Sequence, residues 1–211
     1  MLTLVIDTAT AACSVALVEG AVDSGRVVAC CHEVVGRGHA ERLMPMVAGL
    51  PGGGRADAIL VDCGPGSFTG VRVGLAAAIG LGIGWGAPVC GYSSTALIAA
   101  AAFVARHDLC SLVVVLEGGH GELFMQAYDQ PFAAAAPLAS LTPRAVLDAL
   151  AGRPAFGSGA PRLLALDPQL DGTETLPDAA QAILLPRSFA TLPPRPIYGR
   201  APDAQPQGAR A

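Results

Sequence analysis

The 211-residue chain has no lysine and no asparagine, and all 13 of its basic residues are arginines. Without an ammonium side chain there is no Schiff-base lysine, no P-loop lysine and no kinase strand lysine. That excludes pyridoxal-phosphate enzymes, P-loop NTPases and protein kinases. Positive charge is not in excess either: 17 acidic residues leave a formal net charge of −4. Nothing in bulk draws such a chain to a phosphate backbone, so tight binding to nucleic acid by this chain alone is not expected. The six cysteines, Cys13, Cys30, Cys31, Cys63, Cys90 and Cys110, include no C-x-x-C pair. In a chain of this length they do not read as a secreted disulfide framework. Most lie in apolar runs, where a reduced cysteine acts as a small buried hydrophobe. The opening MLTLVIDTAT carries no basic segment, so no signal peptide is read there and a cytoplasmic location is expected.

What is present is a long, weakly charged apolar chain. At roughly 150 residues per domain it makes one to two domains. A chain of this size buries about 70% of its unfolded surface and needs neither disulfides nor a metal to fold. Mean hydropathy is +0.50, and no charged residue falls between Arg72 and Arg106. A membrane span needs about 20 apolar residues. This stretch is broken by Gly80, Gly82, Gly84, Gly86, Pro88 and Gly91 and then by Tyr92-Ser93-Ser94-Thr95. It reads as helix, short strand and helix, all buried, with no membrane partner.

Three short apolar runs, Leu2 to Asp7, Cys13 to Glu19 and Arg26 to Val35, predict a β-meander. A helix follows from about Gly38-His39 to Leu50, stopped by Pro51-Gly52-Gly53-Gly54. Ala58 to Cys63 reads as a buried strand, Gly64 to Gly70 as a glycine loop, and the next residues as a helix to Trp85. A brief strand at 87–91 and a helix at 94–106 complete this half. The pattern then restarts at Leu112 to Glu117, with a later helix capped by Thr142 and opened by Pro143. The order predicts mixed sheets with helices on their faces, the second half being a decayed copy of the first. The expected division is a lobe over 1–106, a degenerate lobe over 107–200 and a disordered tail over 201–211.

Few of the chemically suggestive groups form a coherent set. The loop Gly64-Pro65-Gly66-Ser67-Phe68-Thr69-Gly70 would aim backbone N–H groups at an anion. It lacks the Walker Gly-Lys, the third glycine of a dinucleotide fingerprint and the glycines of a nucleophile elbow. A tight strand-to-helix turn without ligand is the simpler reading. His39-Ala40-Glu41 imitates the H-x-E of zinc deaminases without its cysteine partners, so His39 reads as a capping or surface residue and no metal is expected. Asp7 and Glu117 end the first strand of each half. Glu117 and Glu122 could serve as acid and base, but acids at hairpin ends are usually solvated. The two helices around the loop say more. On the first, Leu43, Met46, Val47 and Leu50 make one apolar face, and Ala40, Met44 and Ala48 a second. The other, VRVGLAAAIGLGIGW, is apolar all round except Arg72, so it must be covered on every side. One side can pack on the sheet; the other needs this chain's own first helix, another subunit, or both.

LVIDTATAACSVAL, GHAERLMPMVAGL, DAILVDCGPGSFTGVRVGLAAAIGLG and PIYGR, in this order, resemble the TsaB (YeaZ) family of the tRNA N6-threonylcarbamoyladenosine (t6A) machinery. The resemblance is strong over about residues 1–106 and thinner beyond. It implies an α/β actin-like (ASKHA, ribonuclease-H-like) fold of two lobes. It implies a non-catalytic scaffold that pairs with the catalytic paralogue TsaD and works with the ATPase TsaE. It also implies a homodimer when alone and tRNA contact only through the complex. At the positions of TsaD's metal-binding histidines this chain has Ser94 and Ile98, a poor ligand and none. The implied partner interface is Leu43, Met46, Val47, Leu50, Val71, Leu75, Ile79 and Ile83. Asp7, Thr8 and Thr10 would be a vestigial nucleotide site, and Gly64 to Gly70 with Arg72 a structural loop. No cofactor is implied for the lone chain, with ATP or ADP confined to the subunit junction. The alternative is an enzyme of the same fold acting alone, a metal-dependent hydrolase or small-molecule kinase using Asp7, Thr8, Glu117 and His120. Glu117-Gly118-Gly119-His120 departs from the family pattern.

Overall fold

A computed structural model describes residues 1–199; the tail assigned to 201–211 lies outside the described residues. The expected meander forms β1 (Leu2–Asp7), β2 (Ala12–Glu19) and β3 (Arg26–Val34), paired antiparallel in that order. Helix α1 (His39–Gly49) then carries the chain to β4 (Ala58–Asp62), which pairs parallel with β1. Helix α2 (Phe68–Trp85) returns it to β5 (Val89–Tyr92), parallel with β4. The sheet order is therefore β3-β2-β1-β4-β5. Helix α3 (Ser94–Ala105) follows.

The second half repeats that path. Strands β6 (Ser111–Glu117) and β7 (Leu123–Asp129) form a hairpin, and the short β8 (Ala133–Ala134) and β9 (Ala139–Leu141) both pair with β7. Helix α4 (Pro143–Leu150), β10 (Ala155–Phe156), α5 (Ala160–Leu164) and β11 (Gly172–Thr173) come next. Both β10 and β11 run parallel, extending the sheet beyond β6. Position for position this is the first sheet again, with three of its strands reduced to two residues. Two mixed sheets flanked by helices make the actin-like, ribonuclease-H-like fold that the resemblance implies.

Three apolar cores follow from this layout. Helices α1 and α2 cover one face of the first sheet, packing on Leu4, Ile6, Val15 and Ile59. Helices α4 and α5 cover the outer face of the second. Between the two sheets lies α3, joined by a 3-10 turn at Ala179–Leu184. Its sequence STALIAAAAFVA has no polar face because it meets a sheet on both sides, and Leu97 and Ala99 are wholly buried.

Two expectations need revision. Residues 191–199, assigned by sequence to the second lobe, return to the first: Leu192 exchanges backbone hydrogen bonds with Gly91, and the Ile197 N–H donates to the Cys63 carbonyl. The cysteines divide evenly. Cys13 and Cys63 are buried and Cys31 half-buried, while Cys30, Cys90 and Cys110 are exposed. An apolar run on an edge strand such as β3 has one side in solvent, so a run does not guarantee burial. Burial pushes the Cys13 thiol up to about 11 and Cys63 up to about 12, leaving both inert as nucleophiles.

Candidate functional site

The glycine loop is folded onto the β1–β2 turn. Ser67 N–H donates to the Ala9 carbonyl at 2.6 Å, and the Thr8 hydroxyl donates to the Gly70 carbonyl at 2.8 Å. A Cβ at Gly66 would overlap the Ala9 carbonyl oxygen, and one at Gly70 the Thr8 carbonyl oxygen. The glycines are there for close backbone approach, which only a missing side chain allows. Ser67 caps α2 by accepting from Gly70 N–H at 3.2 Å. The amide of Ser67 and the start of α2 are thus turned toward the protein's own oxygens. Ser67, Phe68 and Thr69 remain exposed.

Under the loop, two carboxyl groups lie side by side. Strands β1 and β4 are parallel neighbours, and each ends in an aspartate: Asp7 is 0% exposed and Asp62 1%. Asp7 accepts from the Tyr92 hydroxyl at 2.7 Å and from the Ala9 N–H. Asp62 accepts from the Gly64 N–H at 2.7 Å and the Ser94 hydroxyl at 2.6 Å. Burial, then the neighbouring Asp7 charge, hold the Asp62 carboxyl well above the usual carboxylate range; burial also raises Asp7. Tyr92 is driven up by burial and by the same charges. The sequence reading paired Asp7 with Glu117 and passed over Asp62. The signal was there, since LVID and ILVD are two apolar runs that each end in aspartate.

His39 is neither cap nor surface residue. It is 4% exposed, with Nε2 at 2.8 Å from the Thr10 carbonyl and 3.1 Å from the Ala12 carbonyl. Carbonyls only accept, so Nε2 carries the proton and staples α1 to the β1–β2 turn.

A cleft of about 900 Å³ opens between the two sheets. Thr10, Gly66, Ser67, Phe68 and Arg72 line it from the first lobe, Glu117 to His120 and Phe124 from the second, and Pro196 to Gly199 from the returning segment. The Arg72 guanidinium stacks 3.3 Å above the Phe68 ring and donates to the Tyr198 hydroxyl at 2.8 Å. Glu117 pairs with Arg162 at 3.2 Å. The four residues of the enzyme alternative are not brought together: Asp7 and Thr8 are buried and bonded within the first lobe, while Glu117 and His120 line the cleft. Among the described residues no group of three or more His, Cys, Asp or Glu could hold a metal ion.

The outer helix face differs from its expected composition. Leu43, Met46, Val47, Leu50, Val71 and Leu75 are all 5% exposed or less, packed in this chain's own core. They belong to the faces that α1 and α2 turn to the sheet, so they are unavailable to a partner. Ile79 and Ile83 stand out at 41% and 80% exposure. With them on the surface lie Met44 and Ala48 of α1, the second stripe of that helix, and Ala76, Gly80 and Gly84 of α2. A Cβ at Gly80 or Gly84 would meet nothing within 4 Å, so the helix is thin toward solvent. Helix α2 is long and apolar enough to cross a membrane by length and composition, yet Gly70, Val71, Gly74, Leu75, Ala78 and Gly82 are buried on the sheet side.

The tRNA N6-adenosine threonylcarbamoyltransferase (TsaD) family matches residues 31–136. Escherichia coli TsaB, a tRNA threonylcarbamoyladenosine biosynthesis protein, is 33% identical over 132 residues, 60% of this chain and 54% of that protein. YeaZ from Pseudomonas aeruginosa superposes with a TM-score of 0.76 at 29% identity, over 93% of this chain and 99% of that one. The chain belongs to the TsaB/YeaZ family. An uncharacterized protein of Mycobacterium tuberculosis is similar over almost the whole length, 32% identical across 96% of this chain and 93% of its own. The chain spans about half the length of the TsaB relatives it matches. Against the TsaB/YeaZ background, the strongest local features are the glycine loop wrapped on the β1–β2 turn and the thin outer face of α2.

Proposed function

We propose that this chain is a non-catalytic scaffold subunit in t6A synthesis on tRNA, acting in the cytoplasm by docking the catalytic paralogue TsaD through the exposed faces of α1 and α2. The observation that carries the reading is the surface of α2 around Ile79, Gly80, Ile83 and Gly84. It is apolar, uncharged and thinned by glycines, so another helix can approach its backbone closely. An exposed face of this kind is a contact surface in waiting. A second copy of the chain would cover it when TsaD is absent. The ATPase TsaE and tRNA would join through the complex, in keeping with the net charge of −4.

The scaffold reading also draws on the interior. Where a phosphate-binding turn would leave room for an anion, the Ala9 and Thr8 carbonyls and the glycine loop are in direct contact. The reading assigns no cofactor to the lone chain and leaves ATP or ADP to the junction with TsaD. Mixing the purified chain with TsaD and measuring mass by light scattering tests it. A stable heteromeric species is expected, with transferase and ATPase activity absent from the chain alone. Turnover by the isolated chain, or failure to associate with TsaD, refutes it.

A further inference from the structure

We propose that Asp7 and Asp62 hold a single proton between them at neutral pH, and that this proton locks the glycine loop onto the first sheet. The geometry is that of two adjacent strand ends. β1 and β4 run parallel with Ile6 opposite Val61, so the next residue on each strand is an aspartate. Neither carboxyl reaches solvent. Two anions at that spacing, sealed from water, repel too strongly to coexist; one proton turns the repulsion into a hydrogen bond.

Among the described residues no arginine or histidine forms an ion pair with either carboxyl, so none replaces the proton. From β5 the Tyr92 hydroxyl donates to Asp7, and from α3 the Ser94 hydroxyl donates to Asp62. The loop contributes the Gly64 N–H and the Cys63 thiol, β2 contributes Cys13 and Ser14, and β3 contributes His32. From the 3-10 turn, Asp178 accepts from Ser14 at 3.1 Å and sits 3.9 Å from His32. Of these groups only His32 can become positive, and its partly exposed side chain faces the Asp178 carboxylate. Helix α2 packs the Gly70 and Gly74 backbone on Thr8.

The loop is anchored to this pair at its Gly64-Pro65 end, through Asp62. Asp62 takes the Gly64 N–H, and Ser94 bridges Asp62 to the Pro65 carbonyl at 3.1 Å while its own N–H donates to the Gly64 carbonyl at 3.1 Å. Removing the shared proton leaves two charges where the loop is anchored. The folded chain therefore holds a proton that the unfolded chain, with ordinary carboxylates, releases above about pH 4. The sign follows: the contribution to stability is full below the ordinary carboxylate range and is lost as pH rises toward the raised value of Asp62.

The test uses the full chain and does not depend on the docking proposal. Infrared spectra of the folded protein at neutral pH should show the carbonyl stretch of a buried protonated carboxyl, absent from Asp62→Asn and from the unfolded chain. Urea unfolding between pH 5 and pH 9 gives the second readout. The folding constant of the unmodified chain should fall by up to about tenfold per pH unit from this one proton, and Asp62→Asn should remove that part of the slope. Asparagine mimics the protonated acid, accepting from Gly64 and donating to Asp7. At pH 9 the amides of residues 64–71 should exchange with deuterium faster in the unmodified chain than in the variant. No protonated-carboxyl band in the folded chain at neutral pH overturns the proposal, as do equal slopes for the two proteins. Should Asp62→Asn fail to fold, the band in the unmodified chain decides alone.

Discussion

Replacing Ile79 and Ile83 together by aspartate is the most direct probe of the outer face of α2. Fully burying an isoleucine side chain is worth about 1.5–3 kcal/mol. A partner can cover only what this chain leaves open, 41% of Ile79 and 80% of Ile83. Scaled by those fractions, the two residues contribute about 2–3.5 kcal/mol to a docked complex. At about 1.4 kcal/mol per tenfold, their loss weakens binding by at least about thirtyfold. The carboxylates add to this, because each would be desolvated without a partner. Stability of the lone chain should change little, since both positions face solvent and aspartate and isoleucine differ by only tenths of a kcal/mol in helix propensity. Leu75→Asp is the contrast: at 5% exposure it places a charge in the core and should unfold the protein. Titration calorimetry or light scattering with TsaD reads the affinity, and circular dichroism checks the fold. A doubly substituted chain that is native yet binds TsaD as tightly as the original refutes the assignment of this surface.

Other substitutions probe the interior. Gly70→Ala should destabilise the chain by about 1–3 kcal/mol in urea unfolding, because its methyl group collides with the Thr8 carbonyl. His39→Ala removes the imidazole N–H that the Thr10 and Ala12 carbonyls share and should lower stability by about 1–3 kcal/mol; no loss would mean that water replaces the imidazole. Arg72→Ala deletes the guanidinium that stacks on Phe68 and bonds Tyr198, and should raise proteolytic cleavage around residues 191–199 while lowering global stability by less than about 1 kcal/mol.

The helices show where reading the chain succeeds and where it stops. The apolar spacing of Leu43, Met46, Val47 and Leu50 correctly locates a buried face on α1, whereas α2, apolar all round, is covered on its sheet side and open around Ile79 and Ile83. Which side meets the sheet was not legible. Val71, Leu75 and Ala78 differ from Ala76, Ile79 and Ile83 in position around the helix, not in chemistry. His39 was misjudged for the same reason: its burial comes from the β1–β2 turn, about 30 residues away in the chain.

By itself the order of residues determined the elements, their sequence and the doubled plan, because hydrophobic period, turn residues and caps are local properties written every few positions. Three-dimensional folding alone decided which faces stay open, that Asp62 comes to rest beside Asp7, and that the last residues return to the first sheet. Those outcomes depend on contacts between segments far apart in the chain, and on what burial does to a charge once water has been removed.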